Sequence, residues 1–162
     1  RMAHRRIRRR QEPCILLGDT RNVGALIDEL IRLNRQRHAG SDASSVFEDE
    51  RVAAFHRLAA PRLLAAGLLR LSAMLLGPQA VAAYYGLHWR GRANAYLSGF
   101  DAGHAYESPG SILLGHAIET ALAEGAGEFD FLRGEEAYKY DWGAEPRRND
   151  CRVVRRTTDV PA

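Results

Sequence analysis

LLRLSAMLLGPQAVAAYYGLHWRGRANAYLSG, residues 68–99, holds three apolar runs separated by two short breaks. The runs are Leu68–Leu76, Ala80–Trp89 and Arg92–Gly99, and the breaks are Gly77-Pro78 and Arg90-Gly91. Runs of this length punctuated by turn residues predict an antiparallel meander. Toward the C-terminus, Ser108-Pro109-Gly110 predicts a helix with Ser108 as N-cap and proline in the first helical position. Its apolar side is expected to be Leu114, Ala117, Ile118, Ala121 and Leu122, and Gly125 and Gly127 are expected to end it. Glu128–Leu132 (EFDFL) alternates as a strand does, and Asp150–Arg155 is a candidate last strand. Toward the N-terminus, Pro13–Leu17 reads as a strand. Val23, Leu26, Ile27, Leu30, Ile31 and Asn34 then follow helical spacing, with Asn22 or Thr20 as the cap. Gly40–Ser45 reads as a polar loop. Phe47, Val52, Phe55 and Leu58 mark a second helix, which Pro61 should kink or restart and Gly67 should end. Helices before and after such a sheet predict a mixed α/β (α+β) domain over residues 12–156, between a basic segment, 1–11, and a short tail, 157–162.

Composition narrows the class. The chain has 162 residues, 46% of them hydrophobic and 27% charged, which fits one soluble globular domain. A domain of this length buries roughly 70% of its unfolded surface and needs no staple. Cys14 and Cys151 lack zinc-ligand spacing, so no metal is expected and a reducing, cytoplasmic setting is. The net charge of +3 comes from the terminal arginines at positions 1, 5, 6, 8, 9 and 10, a solvated basic end rather than a nucleic-acid-binding face. No apolar run is long enough for a signal peptide or a membrane helix. The start at Arg1 carries the expectation that a further N-terminal part exists. Only one of the 23 basic residues, Lys139, is a lysine.

Strong catalytic motifs are absent: there is no H-E-x-x-H, P-loop, G-x-S-x-G or G-x-G-x-x-G. Two constellations remain. Strand Arg92–Gly99 leads through Asp101 to the Ser108-Pro109-Gly110-Ser111 turn. Free N–H groups of a helix start can hold a phosphate there, with Gly110 and Ser111 as donors; the plainer reading is a well-capped helix. The second is Phe129–Ala144, which packs acid, base, phenol and indole groups between glycines after a strand. Its plainer reading is a loop in which Arg133 and Lys139 pair with Glu135, Glu136 and Asp141.

Three segments together carry a resemblance: Ser98-Gly99-Phe100-Asp101, Tyr106-Glu107-Ser108-Pro109-Gly110, and the FDFLRGEE and YKYDWG strings of residues 129–136 and 138–143. The sequence resembles the CelD/BcsL-type acetyltransferases of the Gcn5-related N-acetyltransferase (GNAT) superfamily and is similar to the FemAB transferases, from about Leu26 to Trp142. The resemblance implies a GNAT-like, mostly antiparallel sheet flanked by helices, and transfer from acetyl-CoA to a hydroxyl or amine of a saccharide-type acceptor, associated with cellulose or exopolysaccharide production. It also implies a second, N-terminal GNAT-like half. Ser108, Gly110 and Ser111 would sit where the family holds the CoA pyrophosphate, although only Gly110 survives of the usual Gln/Arg-x-x-Gly-x-Gly/Ala loop. Lys139 would match the substrate-binding lysine of FemAB relatives.

Acyl transfer needs a proton acceptor, an oxyanion site and an acid for the leaving thiolate. The candidate bases are Asp101, Glu135 and Glu136; Tyr138 is the candidate acid, and Lys139 a compact charge for a phosphate. Two alternatives are kept: an aminoacyl-tRNA-dependent transferase using Arg1–Arg10, and a non-catalytic half-domain that needs its partner.

Overall fold

The three runs form the expected meander in a computed structural model that describes residues 12–39 and 44–154. Strands β2 (Leu69–Leu76), β3 (Gln79–Trp89) and β4 (Arg92–Phe100) pair antiparallel in sequence order. The β3–β4 turn is Arg90-Gly91, with φ of 50° and 73°, the left-handed pair that matches strand twist in a two-residue hairpin. Strand β1 (Pro13–Leu17) adds antiparallel to β2. Strand β5 (Glu128–Asp130) adds parallel to β4, which requires a crossover; helix α3 (Pro109–Ala123) provides it. The sheet order is therefore β1-β2-β3-β4-β5, mixed and mostly antiparallel as expected.

Strand alternation sends side chains to two cores. Helix α1 (Val23–His38) and helix α2 (Glu50–Ala65) cover one face, where Leu26, Ile27, Leu30 and Leu33 pack with Leu69, Leu71, Ala83 and Tyr85. On the other face Ile112, Leu113 and Ala117 of α3 pack with Met74, Val81, Ala82 and Tyr84. These residues belong to the first of two compact units, which runs through Leu132; the second begins at Arg133 and holds the short helix α4 (Ala137–Asp141).

Several local expectations are corrected. Phe47 lies in a separate 3-10 turn, Val46–Glu48, and α2 turns Ala53, His56 and Ala60 inward, leaving Phe55 and Leu58 exposed. Helix α2 also runs through Pro61 unbroken, with Pro61 on its exposed side. Its closure near Gly67 is as expected: Gly67 N–H bonds the Leu64 carbonyl and Leu68 N–H the Leu63 carbonyl. Asn22 precedes α1 but does not cap it, since its Oδ1 accepts from Asp19 N–H. On α3, Leu122 is 73% exposed and the buried row is Ile112, Leu113, Ala117 and Ala121. Residues 150–154 form no strand. The basic segment and most of the 40–45 loop lie outside the described residues, and Cys14 and Cys151 are exposed free thiols.

One contact fixes α1 on the sheet. A Cβ at Gly99 would lie 2.6 Å from the Leu33 carbonyl carbon and closer still to Asn34 N, so β4 and α1 touch backbone to backbone. Asn34 Nδ2 donates to the Ser98 carbonyl at 2.7 Å beside it. Neither partner is a flexible side chain that can step aside. Gly99→Ala should therefore cost at least about 2 kcal/mol and lower the thermal midpoint by roughly 4–8 °C, read by circular dichroism; an unchanged midpoint would show that α1 can shift freely.

Candidate active site

Strands β4 and β5 pair over three positions only, Arg92↔Glu128, Ala93↔Phe129 and Asn94↔Asp130. Beyond Asn94, β4 continues to Phe100, so its outer edge from Ala95 onward has no strand beside it among the described residues. The opening begins at an irregularity. Tyr85 pairs with Leu97 while Gly86 pairs with Ala95, which leaves Tyr96 as the extra residue of a β-bulge. A bulge bends and twists its strand and re-aims side chains, and such features recur next to active sites.

The open edge leads into an anchored turn. Asp101 is buried; its N–H bonds the Val81 carbonyl at 2.9 Å, and its Oδ1 accepts from Gly103 N–H at 2.9 Å and Gln36 Nε2 at 3.0 Å. Its Oδ2 accepts from Gln79 Nε2 at 3.3 Å. One carboxylate thus joins α1, β3 and the 3-10 turn Ala102–Glu107. Ser108 follows in the left-handed region (φ 53°, ψ 51°) and makes no cap bond: its Oγ donates back to the Ala105 carbonyl at 3.4 Å. The expected side-chain cap is thus replaced by a backbone one, in which the Ser108 carbonyl accepts from Ser111 N–H at 3.1 Å and Ile112 N–H at 3.2 Å. Pro109 has no N–H to offer. Gly110 and exposed Ser111 form the first turn of α3, where the helix dipole is positive. A Cβ on Gly110 would stand 3.3 Å from the Phe100 ring, so glycine lets that ring pack close against the helix start.

Across the α2 face of the same unit lies a group that sequence reasoning missed. His56 is 3% exposed and ringed by aromatics, with centroid distances of 5.6 Å to Phe47, 5.1 Å to Phe55, 5.5 Å to Tyr85 and 5.6 Å to Tyr96. Its Nδ1 is buried without a hydrogen-bond partner. Burial pulls the imidazole below its usual 6.5, since the charged form is poorly solvated there. Burial, aided by Tyr96, pushes the Tyr85 phenol up to about 12. The only hint in the sequence was the Ala53, His56, Ala60 spacing of a buried helix stripe.

The remaining candidates belong to the second unit. Lys139 is 5% exposed; its ammonium donates to the Arg133 carbonyl and to the Gly134 carbonyl at 3.3 Å, and pairs with Glu136 at 2.8 Å. Of the expected loop pairings, this Lys139–Glu136 pair is the one observed. Glu135 and Tyr138 are exposed beside it, as are Tyr140 and Trp142. The sequence-predicted residues therefore form two groups, one in each unit: Asp101, Ser108, Gly110 and Ser111 around the open edge, and Glu135, Tyr138 and Lys139 around α4. Among the described residues no group of three His, Cys, Asp or Glu side chains could hold a metal, and no helix is long and apolar enough to cross a membrane.

This architecture has close counterparts. An aminoglycoside acetyltransferase from an uncultured soil metagenomic sample, solved with sisomicin, matches with a TM-score of 0.61 at 16% identity, over 89% of this chain and 97% of that one. PaiA N-acetyltransferase from Thermoplasma acidophilum, solved with coenzyme A, matches at 0.62 and 11% identity over 82% and 87%. A GNAT family acetyltransferase from Brucella melitensis, solved with acetyl-CoA, matches at 0.61 and 15% over 84% of each chain. At these identities the likeness is one of fold. Curated protein sequences give no match. The profile of the acetyltransferase (GNAT) domain family covers residues 1–140, most of the chain, and the protein therefore belongs to that family of acetyltransferases.

Proposed function

We propose that this acetyltransferase moves an acetyl group from acetyl-CoA to a hydroxyl or amine of a saccharide-type acceptor. The observation that carries the reading is the parting of β4 from β5 directly beside the α3 N-terminus. An unpaired strand edge offers N–H and C=O groups that a pantetheine chain can bond in place of a neighbouring strand, and N–H groups at the bulge can stabilise the thioester oxygen as it gains charge. At the end of that edge, the first turn of α3 offers the Gly110 N–H, the exposed Ser111 hydroxyl and a positive dipole to the pyrophosphate. Structures of the same fold solved with coenzyme A and with acetyl-CoA support this donor.

Asp101 is assigned a positioning role, because both its oxygens are taken by Gly103, Gln36 and Gln79. Lys139 holds the Arg133–Glu136 segment in shape, and Glu135 and Tyr138 are exposed ionisable side chains of the same unit. The saccharide acceptor rests on the likeness of the FDFLRGEE and YKYDWG strings to the CelD/BcsL-type enzymes, which also suggests a place in polysaccharide modification. Solved relatives of the fold carrying sisomicin and trehalose support the same acceptor class.

Three outcomes follow. Acetyl-CoA, and not adenosine, should raise the thermal midpoint in a concentration-dependent way, by an amount equivalent to about 2.7 kcal/mol at a hundred times Kd. Ser111→Glu should leave the protein as stable or slightly more so, since a carboxylate suits a helix start, and should weaken acetyl-CoA binding about tenfold or more by repelling the pyrophosphate. Equal affinity in this variant would remove the turn from the donor site. Asp101→Ala should cost about 2 kcal/mol or more in chemical denaturation, because buried donors lose their acceptor, and should loosen acetyl-CoA binding as the turn relaxes; unchanged stability would deny it the positioning role.

A further inference from the structure

His56 is a buried histidine that packing alone does not explain. Its neighbours are aromatic rings, no carboxylate or carbonyl satisfies Nδ1, and an apolar residue would fill the space without an orphaned nitrogen. It also lines an open hollow of about 530 Å³, together with Asp49, Arg51, Val52, Phe55 and Tyr96. Tyr96 connects this hollow to the donor edge, since the bulge residue of β4 is also the hollow's sheet wall. A nucleophile resting in the hollow would stand beside the stretch of β4 assigned to the thioester.

We propose that the hollow receives the acceptor's sugar ring and that His56 takes the proton from its attacking hydroxyl or amine. This rests on the acetyltransferase reading above and names the acceptor site within it. The walls suit a sugar. Phe55 (61% exposed) and Tyr96 (42% exposed) offer ring faces to its C–H side, and the Asp49–Arg51 pair at the rim, joined at 2.7 Å, offers both signs of charge to its polar groups. In the step itself the acceptor oxygen or nitrogen bonds to the acetyl carbonyl carbon and its proton passes to His56 Nε2, the ring nitrogen other than the buried Nδ1. The carbon–sulfur bond then breaks, its electron pair leaves on the CoA sulfur, and the imidazolium returns the proton to that sulfur, directly or through water. The products are CoA thiol, acetylated acceptor and neutral His56.

Electrostatics around the ring agree with that role. Facing His56 are the phenols of Tyr85 from β3 and Tyr96 from β4, together with the mutually paired Asp49 and Arg51 at the start of α2. Tyr85 stays protonated throughout the neutral range. The depressed imidazole is neutral at pH 7 and able to accept a proton, so turnover should be retained above neutrality and lost as pH falls through an apparent value below 6.5.

The test measures thiol release from acetyl-CoA with glucosamine and trehalose as acceptor probes, over pH 5.5–8.5, on the full chain verified as folded at each pH. His56→Gln should bind acetyl-CoA as the wild type does, lose about 100-fold or more in kcat, and lose the acidic limb of the profile. Phe55→Ala, at an exposed position, should raise the acceptor KM and leave kcat in place. Should His56→Gln fail to fold, the wild-type profile decides: an acidic limb below 6.5 supports the assignment, and constant kcat/KM to pH 5.5 overturns it. Unchanged kcat in folded His56→Gln overturns the role of His56 and leaves the acetyltransferase reading standing. Wild-type protein that binds acetyl-CoA and acetylates neither sugar overturns the saccharide reading and this proposal together.

Discussion

The structure turns on the brevity of one strand pairing. Parallel β4 and β5 meet over three residues, after which β4 stays paired with β3, bulges at Tyr96 and has no strand on its outer edge among the described residues. A sheet that continued there would satisfy the β4 edge and leave nothing for a ligand to bond; the parting leaves backbone groups exposed next to the start of α3. Everything around the edge holds it in that state. Gly99 lets α1 lie against β4 backbone to backbone, and Asp101 joins α1, β3 and the 3-10 turn through one carboxylate. Rigidity on the α1 side and openness on the β5 side are complementary, because a preorganised edge does not have to be ordered again when a ligand arrives.

The two faces of the sheet then divide the chemistry. On the α3 side the positive end of the helix lies next to Phe100, with Gly110 in its first turn. On the α2 side the aromatic rings around His56 bury the imidazole and lower its proton affinity. Tyr96 belongs to both regions, since it is the bulge residue of the edge and a wall of the hollow. A strand irregularity that is costly in isolation thus places one residue in both surfaces.

Much of the fold was legible because its signals are local. Turn pairs at Gly77-Pro78 and Arg90-Gly91 bounded the meander, and helical spacing gave α1 its buried row from Val23 to Asn34. The YKYDWG and FDFLRGEE strings pointed to the acetyltransferase superfamily. What stayed hidden depends on tertiary contact. Phe55 and Leu58 look like the inward face of α2 by hydropathy, but the helix turns Ala53, His56 and Ala60 inward instead. Ser108 looks like an N-cap by residue type, yet its left-handed backbone turns the hydroxyl back to Ala105. His56 carries no motif, and the bulge at Tyr96 is a matter of register that alternation along one strand does not reveal. Lys139 stood out as the only lysine, but its bonds to the Arg133 and Gly134 carbonyls follow from the shape of the turn.

The central claim is that the open edge of β4 is where the donor lies, and hydrogen–deuterium exchange of the backbone amides reads that edge directly. Unpaired edge amides exchange quickly, so binding of acetyl-CoA should slow exchange across residues 95–100 and at Gly110 and Ser111, and leave the β1–β2 pairing as it was. Protection confined to other segments, with residues 95–100 exchanging at the same rate at saturating acetyl-CoA, would contradict the account.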